Sequence, residues 1–103
     1  MTTSIKITIP PSIEKYAVYL ADFVDGMVKK LDKNSHKDTP TRENLQTIMD
    51  LLIEEISEFE MQVAEDRFSE NSLIELMDQA NFAFLAYIAL RAEHEAQIRD
   101  DKT

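Results

Sequence analysis

The sequence predicts an all-α protein: a protomer of three to four helices that assembles into an oligomeric helical bundle, with a short extended N-terminal arm. Three observations predict it. The 103 residues contain one glycine and three prolines, a composition that favours helix. Apolar residues recur at spacings of three and four through most of the chain. Residues 80–90 contain one polar side chain in eleven, Asn81, so a helix there is apolar on every side and must be enclosed. Three helices of one chain cannot easily surround one of their own, whereas a dimer or larger assembly can.

The elements follow in order. Ile5, Ile7 and Ile9 alternate with Lys6 and Thr8, the period of an extended arm or short strand, which would need a partner edge. Pro10 and Pro11 close that segment, and Ser12 is the expected N-cap of the first helix. Tyr16, Tyr19, Leu20, Phe23, Met27 and Leu31 form its apolar face, and it should fray near Lys33 and Asn34. A polar stretch, residues 34–40, precedes the next N-cap, Thr41. Leu45, Ile48, Leu52, Ile56, Phe59 and Val63 give a second amphipathic helix that ends around Asp66. The third helix begins between Ser69 and Ser72 and runs to about Gln97; Ser72 and Glu75 fit a capping box, which is one possible task for Glu75. One domain, residues 1–103, accounts for the whole length.

Composition narrows the chemistry. Without cysteine there is no disulfide and no thiolate-bound zinc. A net charge of −9 opposes binding to a nucleic-acid backbone, yet it is compatible with a small phosphorylated ligand that arrives with divalent cations. No N-terminal apolar segment of the signal-peptide kind is present. The longest mostly apolar run has 11 residues, against the roughly 20 of a membrane span. The expectation is a soluble, cytoplasmic protein with no membrane and no nucleic-acid partner.

Charge is unevenly placed. From Glu54 to Asp78 there are nine acidic residues and one basic residue, Arg67. Within that stretch Glu55 and Glu58 stand three apart, on a row that begins at Leu51 and ends at Gln62. Side chains three apart on a helix are neighbours, so two like charges there repel unless a cation compensates them. Glu75 and Asp78 repeat the device, and their row continues into Phe82 and Leu85, which look like core. Sixteen residues separate Glu58 from Glu75, enough for a turn and an antiparallel return. The four carboxylates can then converge. Carboxylates without histidine suit Mg²⁺, with Mn²⁺ as a substitute. A di-iron bundle would use Glu-x-x-His pairs, and Lys33 and Arg91 stand where those glutamates would be. Taken alone, either acidic pair is more often a solvated helix face.

Together the residues resemble a family. Glu54-Glu55-x-x-Glu58 followed by Glu75-x-x-Asp78 looks like the EExxE…ExxD motif of the all-α NTP pyrophosphatases, the MazG-like group. Lys30-Leu31, the loop from Asn34 to Lys37, and Asp78-Gln79-Ala80-Asn81-Phe82 extend the resemblance over roughly residues 20–91. The resemblance implies hydrolysis of a (d)NTP to the (d)NMP and pyrophosphate, Mg²⁺, and a dimer or tetramer. It implies that Glu55, Glu58, Glu75 and Asp78 are the metal ligands. Glu54 would be an auxiliary carboxylate beside Glu55 and Glu58, and Asn81 a contact to sugar or phosphate. Small members often carry a tryptophan soon after the loop lysine. Here Lys37 is followed by Asp38-Thr39-Pro40 and the chain has no tryptophan, so another residue would have to hold the base.

The remaining candidates have two readings each. Asn81 is a buried amide that needs partners, whether structural or ligand. Lys29, Lys30, Lys33 and Lys37 match a helix C-terminal dipole and equally a triphosphate tail. We read Lys29 and Lys30 as dipole partners, and Lys33 and Lys37 as substrate contacts. Phe82, Phe84 and Tyr87 read as core, and His36 and His94 as solvated. The alternative function is a non-catalytic acidic helical module for oligomerisation or interaction.

Overall fold

The computed structural model describes residues 2–101; Met1 and the last two residues of the predicted domain lie outside this range. Three α-helices carry the structure: α1 (Ala17–Lys33), α2 (Leu45–Glu65) and α3 (Glu70–Asp101). Short 3₁₀ turns, Pro11–Tyr16 and Arg42–Asn44, lead into α1 and α2. There is no strand among the described residues. Residues 2–10 form neither helix nor strand, and Ile5 and Ile7 are 86% and 66% exposed. The alternation there marks a segment able to extend, but no sheet edge is present to pair with it.

Two of the expected caps differ. The first helix begins two residues earlier than a Ser12 cap allows, with Pro10 as N-cap, Pro11 in the first turn, and the Ile13 N–H donating to the Pro10 carbonyl at 3.0 Å. Proline suits the first turn because its missing N–H would have no helical partner. At α3 the cap is Ser69, whose hydroxyl accepts from the Ser72 N–H at 3.3 Å. Ser72 instead donates to the Asp66 carbonyl at 3.0 Å and is buried in the turn. Glu75 is thereby released from capping. Thr41 does open the second helix: its N–H donates to Asn44 Oδ1 at 2.9 Å.

α3 is the spine. Arg42, in the turn just before α2, meets Glu93 late in α3 at 3.6 Å, while Glu55 lies near Glu75 and Asp78. α2 and α3 therefore run antiparallel. α1 crosses α3 near residues 77–81: Gly26 lies at Met77, the Met27 carbonyl accepts from Asn81, and Lys30 pairs with Asp78. α1 and α2 both pack on α3 and make no close contact with each other among the described residues. Residues 34–41 carry the chain back between them.

This arrangement leaves much apolar surface uncovered. The chain exposes 8675 Å², against roughly 5900 Å² for a compact monomer of its mass. Its radius of gyration is 16.5 Å, against about 13 Å for a compact domain of this length. Among the described residues Ile48 and Ala89 are the buried apolar side chains. Phe84, Tyr87 and Leu90 on α3 remain 41%, 57% and 53% exposed. The third helix is apolar around its circumference, as expected, yet only two of its flanks are covered. Within Glu70–Asp100 an 18-residue window has mean hydropathy 1.3, so the helix is long and apolar enough to cross a membrane by length and composition alone. Core helices of helical bundles meet the same criterion, and α3 is the helix on which the other two pack.

The one glycine lies where Met77 of α3 packs against α1. A Cβ at Gly26 would lie 2.9 Å from Met77 Cε and closer still to Met77 Sδ. The obstacle is the flexible end of a methionine. Gly26→Ala should therefore cost little, since the shifted Met77 is offset by about 1 kcal/mol of helix propensity. Gly26→Leu should destabilise by about 1–3 kcal/mol through overpacking, measured by urea unfolding; equal stability of the two variants would contradict this crossing.

Candidate metal centre and adjoining cleft

The site is built where α2 and α1 flank α3. Glu55 is one turn past Leu51 and Leu52 on α2, and Glu75 and Asp78 share one face of α3. One oxygen from each of Glu55, Glu75 and Asp78 lies within 4.8 Å of the others, and all three side chains are half-buried. Ligand oxygens around a single hard cation at about 2.1 Å are spaced by roughly 3–4 Å, so a small closure suffices to hold one ion.

Two oxygens of this cluster, Glu55 Oε2 and Glu75 Oε2, are buried without a hydrogen-bond partner. Buried polar atoms are ordinarily satisfied, and carboxylate oxygens most of all. The same strain is visible in protonation. Burial pushes the Glu55 carboxyl up to about 7, and the charges of Glu58, Asp78 and Glu75 push it further in that direction. The donor set is hard oxygen, the environment is short of positive charge, and the oxygens converge. These residues fit a magnesium-type cation.

The fourth expected ligand is placed differently. Glu58 follows Glu55 by one turn and acts on it through its charge, but its side chain is exposed and it is not among the converging oxygens. Gln62, next on that row, donates to Ser69 Oγ at 3.3 Å and so ties α2 to the turn before α3. Glu54 is exposed on the outer side of α2.

A cleft of about 680 Å³ opens beside the cluster, with Glu55 and Asp78 in its wall. Lys37 and Asn81 line it, as do Asn34, Thr39 and Phe82. Lys33 does not. Asn81 is 8% exposed; its Nδ2 donates to the Met27 carbonyl at 3.3 Å, while its Oδ1 has no partner. The structural reading of Asn81 is seen in its Nδ2, while its buried Oδ1 is left without a partner. His36 and His94 are exposed.

Sequence reasoning assigned Lys30 to the helix dipole and not to the cleft. Its ammonium lies 3.0 Å from Asp78 Oδ1, and it also lines the cleft. A signal existed, because Lys30 follows Phe23 and Met27 on the apolar stripe of α1 and not on the polar side. Lys29, by contrast, forms an exposed pair with Asp25 at 2.9 Å.

Compared with models of known protein families, with curated proteins and with solved structures, the chain finds no match in any of the three.

The raised Glu55 carboxyl has a consequence for stability. The folded chain holds a proton on Glu55 up to about pH 7, whereas the unfolded chain releases it near its ordinary value, about 4.3. The folded state therefore binds more protons between these values, and Glu55 costs the metal-free protein stability as pH rises through that window. Glu55→Gln removes the titration. The Tm of Glu55→Gln minus that of the wild type should grow from pH 5 to pH 8 in chelator; a difference that stays flat would contradict the burial of Glu55.

Proposed function

We propose that this chain is a Mg²⁺-dependent nucleoside-triphosphate pyrophosphohydrolase of the MazG-like, all-α kind, working as a cytoplasmic homo-oligomer. The observation that carries this reading is the convergence of Glu55, Glu75 and Asp78, two of which, Glu55 and Asp78, also line a cleft that presents lysine and amide groups. The cleft's volume of about 680 Å³ lies within the roughly 300–1,000 Å³ usual for small-ligand sites. The motif resemblance supplies the reaction class.

Glu55, Glu75 and Asp78 would hold the cation. When bound, Mg²⁺ would offset charge on the phosphate oxygens and lower the pKa of water. Lys37 would meet the phosphate tail as a flexible point charge. Asn81 Oδ1, unpartnered in the cleft wall, would accept from a ligand hydroxyl or amine. The reaction joins a water oxygen to the α-phosphorus and breaks the bond from that phosphorus to the oxygen bridging to the β-phosphate. Glu54 and Glu58, exposed beside Glu55, are the carboxylates left to take the proton of that water. Phe82 offers the cleft an aromatic face, in a chain without tryptophan.

The uncovered surface of α3 supports the oligomeric part of the proposal. A protomer with this excess of exposed area is suited to burying it against further copies, as a dimer or tetramer, and that cover also answers the hydropathy of α3. The same surface favours a second reading, an acidic helical interaction module without catalysis, which predicts a Tm indifferent to millimolar Mg²⁺ or Mn²⁺.

The test is pyrophosphate release from a panel of NTPs and dNTPs with Mg²⁺ or Mn²⁺. The expected result is release from at least one of them. Asp78→Asn and Glu75→Gln should each reduce it by more than the ~10–100-fold typical of residues that only support a metal ligand, with helical circular dichroism unchanged. Folded, oligomeric protein that releases pyrophosphate from none of the panel would overturn the proposal.

A further inference from the structure

Lys30 is placed differently from the other basic residues near the cleft. It reaches the acidic cluster from α1, while the cluster itself is built by α2 and α3. The Lys30 and Asp78 side chains are 35% and 22% exposed, so the pair is partly withdrawn from water. Among the described residues it is the one basic side chain paired with the cluster. It neutralises one carboxylate of three, and the two buried oxygens of Glu55 and Glu75 remain without partners.

The approach of α1 that brings Lys30 there is specified by two neighbours. Gly26, one turn earlier, admits Met77 against the α1 backbone. The Met27 carbonyl accepts the Asn81 amide at 3.3 Å. That bond fixes α1 against α3 three residues before Lys30. It also leaves the buried Oδ1 of Asn81, a residue 8% exposed that lines the cleft, without a partner. This second orphaned atom points to a ligand independently of the carboxylates.

We propose that Lys30 is an internal stand-in for the cation: it occupies Asp78 while the site holds no metal, is displaced when a divalent cation binds, and then turns its ammonium to the phosphates of the ligand. This deepens the proposed function and rests on its reading of Glu55, Glu75 and Asp78 as the cation ligands. The logic is electrostatic. An ammonium and a divalent cation cannot share one carboxylate oxygen without repelling each other. A lysine on a flexible four-carbon stem can leave, and an arginine locked to a carboxylate by two bonds would do so less readily. Once released, Lys30 is still in the wall of the cleft, which Asn34 and Lys37 also line. The exchange couples the two ligands: cation entry frees the charge that receives the anion, and an anion that holds Lys30 clears Asp78 for the cation. Such coupling is reciprocal by thermodynamic necessity.

The experiment uses the full chain with Mn²⁺ alone, and then inorganic triphosphate with Mn²⁺ present, both by titration calorimetry. Lys30→Gln should bind Mn²⁺ about tenfold more tightly than the wild type, because a competing charge is gone. It should bind triphosphate about tenfold more weakly, because a phosphate contact is lost. Lys30→Arg should restore much of the triphosphate affinity without the gain for Mn²⁺. Wild-type protein that binds no Mn²⁺ would overturn the cation site itself. Wild-type protein that binds Mn²⁺, with Lys30→Gln binding it no better, would overturn only the role of Lys30. If Lys30→Gln does not fold, the wild type still decides: the Lys30 Cε resonance should shift on saturation with diamagnetic Mg²⁺, and an unmoved resonance overturns the displacement. None of these readouts depends on turnover.

Discussion

Nearly everything in this structure is conditioned by α3. From Ala80 to Leu90 it has no polar side except Asn81, so it lowers its free energy only by being covered. α2 covers one flank through the hairpin at residues 66–69, and α1 covers a second by crossing at Gly26 and Met77. Because α1 and α2 do not meet, a cleft remains between them, floored by α3. The rest of α3 stays exposed, which gives the chain the surface area and radius of an incomplete bundle. Cleft and uncovered flank have one origin, two short helices on a long one.

That constraint explains why the carboxylates are where they are. The row that carries Glu75 and Asp78 runs on into Phe82 and Leu85, so these acids begin where the apolar surface ends. Glu55 is brought against them by the antiparallel return of α2. Bringing three like charges onto half-buried ground opposes folding. The chain offsets it in part with Lys30 and leaves two oxygens unsatisfied. A fold selected for stability alone would place leucine or alanine at Glu55. Its position beside a cleft is what gives the metal reading its physical weight, apart from any motif.

The sequence made the helices legible because their signals are local. Period, proline, the Thr41 cap and the polar stretch near residue 34 all act within a few residues, and the helices begin and end close to the expected positions. The caps were less legible, since Ser12, Ser69 and Ser72 each offer a hydroxyl and only the path of the turn decides which is used. Glu75 and Asp78 could be found from their row. Glu58 could not be separated from Glu55, because a helix places both beside the neighbouring helix, and the interhelical angle decides which one faces it. Lys30 required the crossing of α1 on α3, which no local pattern encodes. Lys33, one turn further on, has the same chemistry and falls outside the cleft.

The central claim is that Glu55, Glu75 and Asp78 together hold one divalent cation. Crystals grown or soaked with Mn²⁺ and measured near the manganese absorption edge test it without reference to any substrate. The account predicts an anomalous peak between α2 and α3, with oxygens of all three side chains within about 2.0–2.6 Å of it. Manganese bound elsewhere on the chain, with these three carboxylates left unliganded at saturating metal, would contradict it.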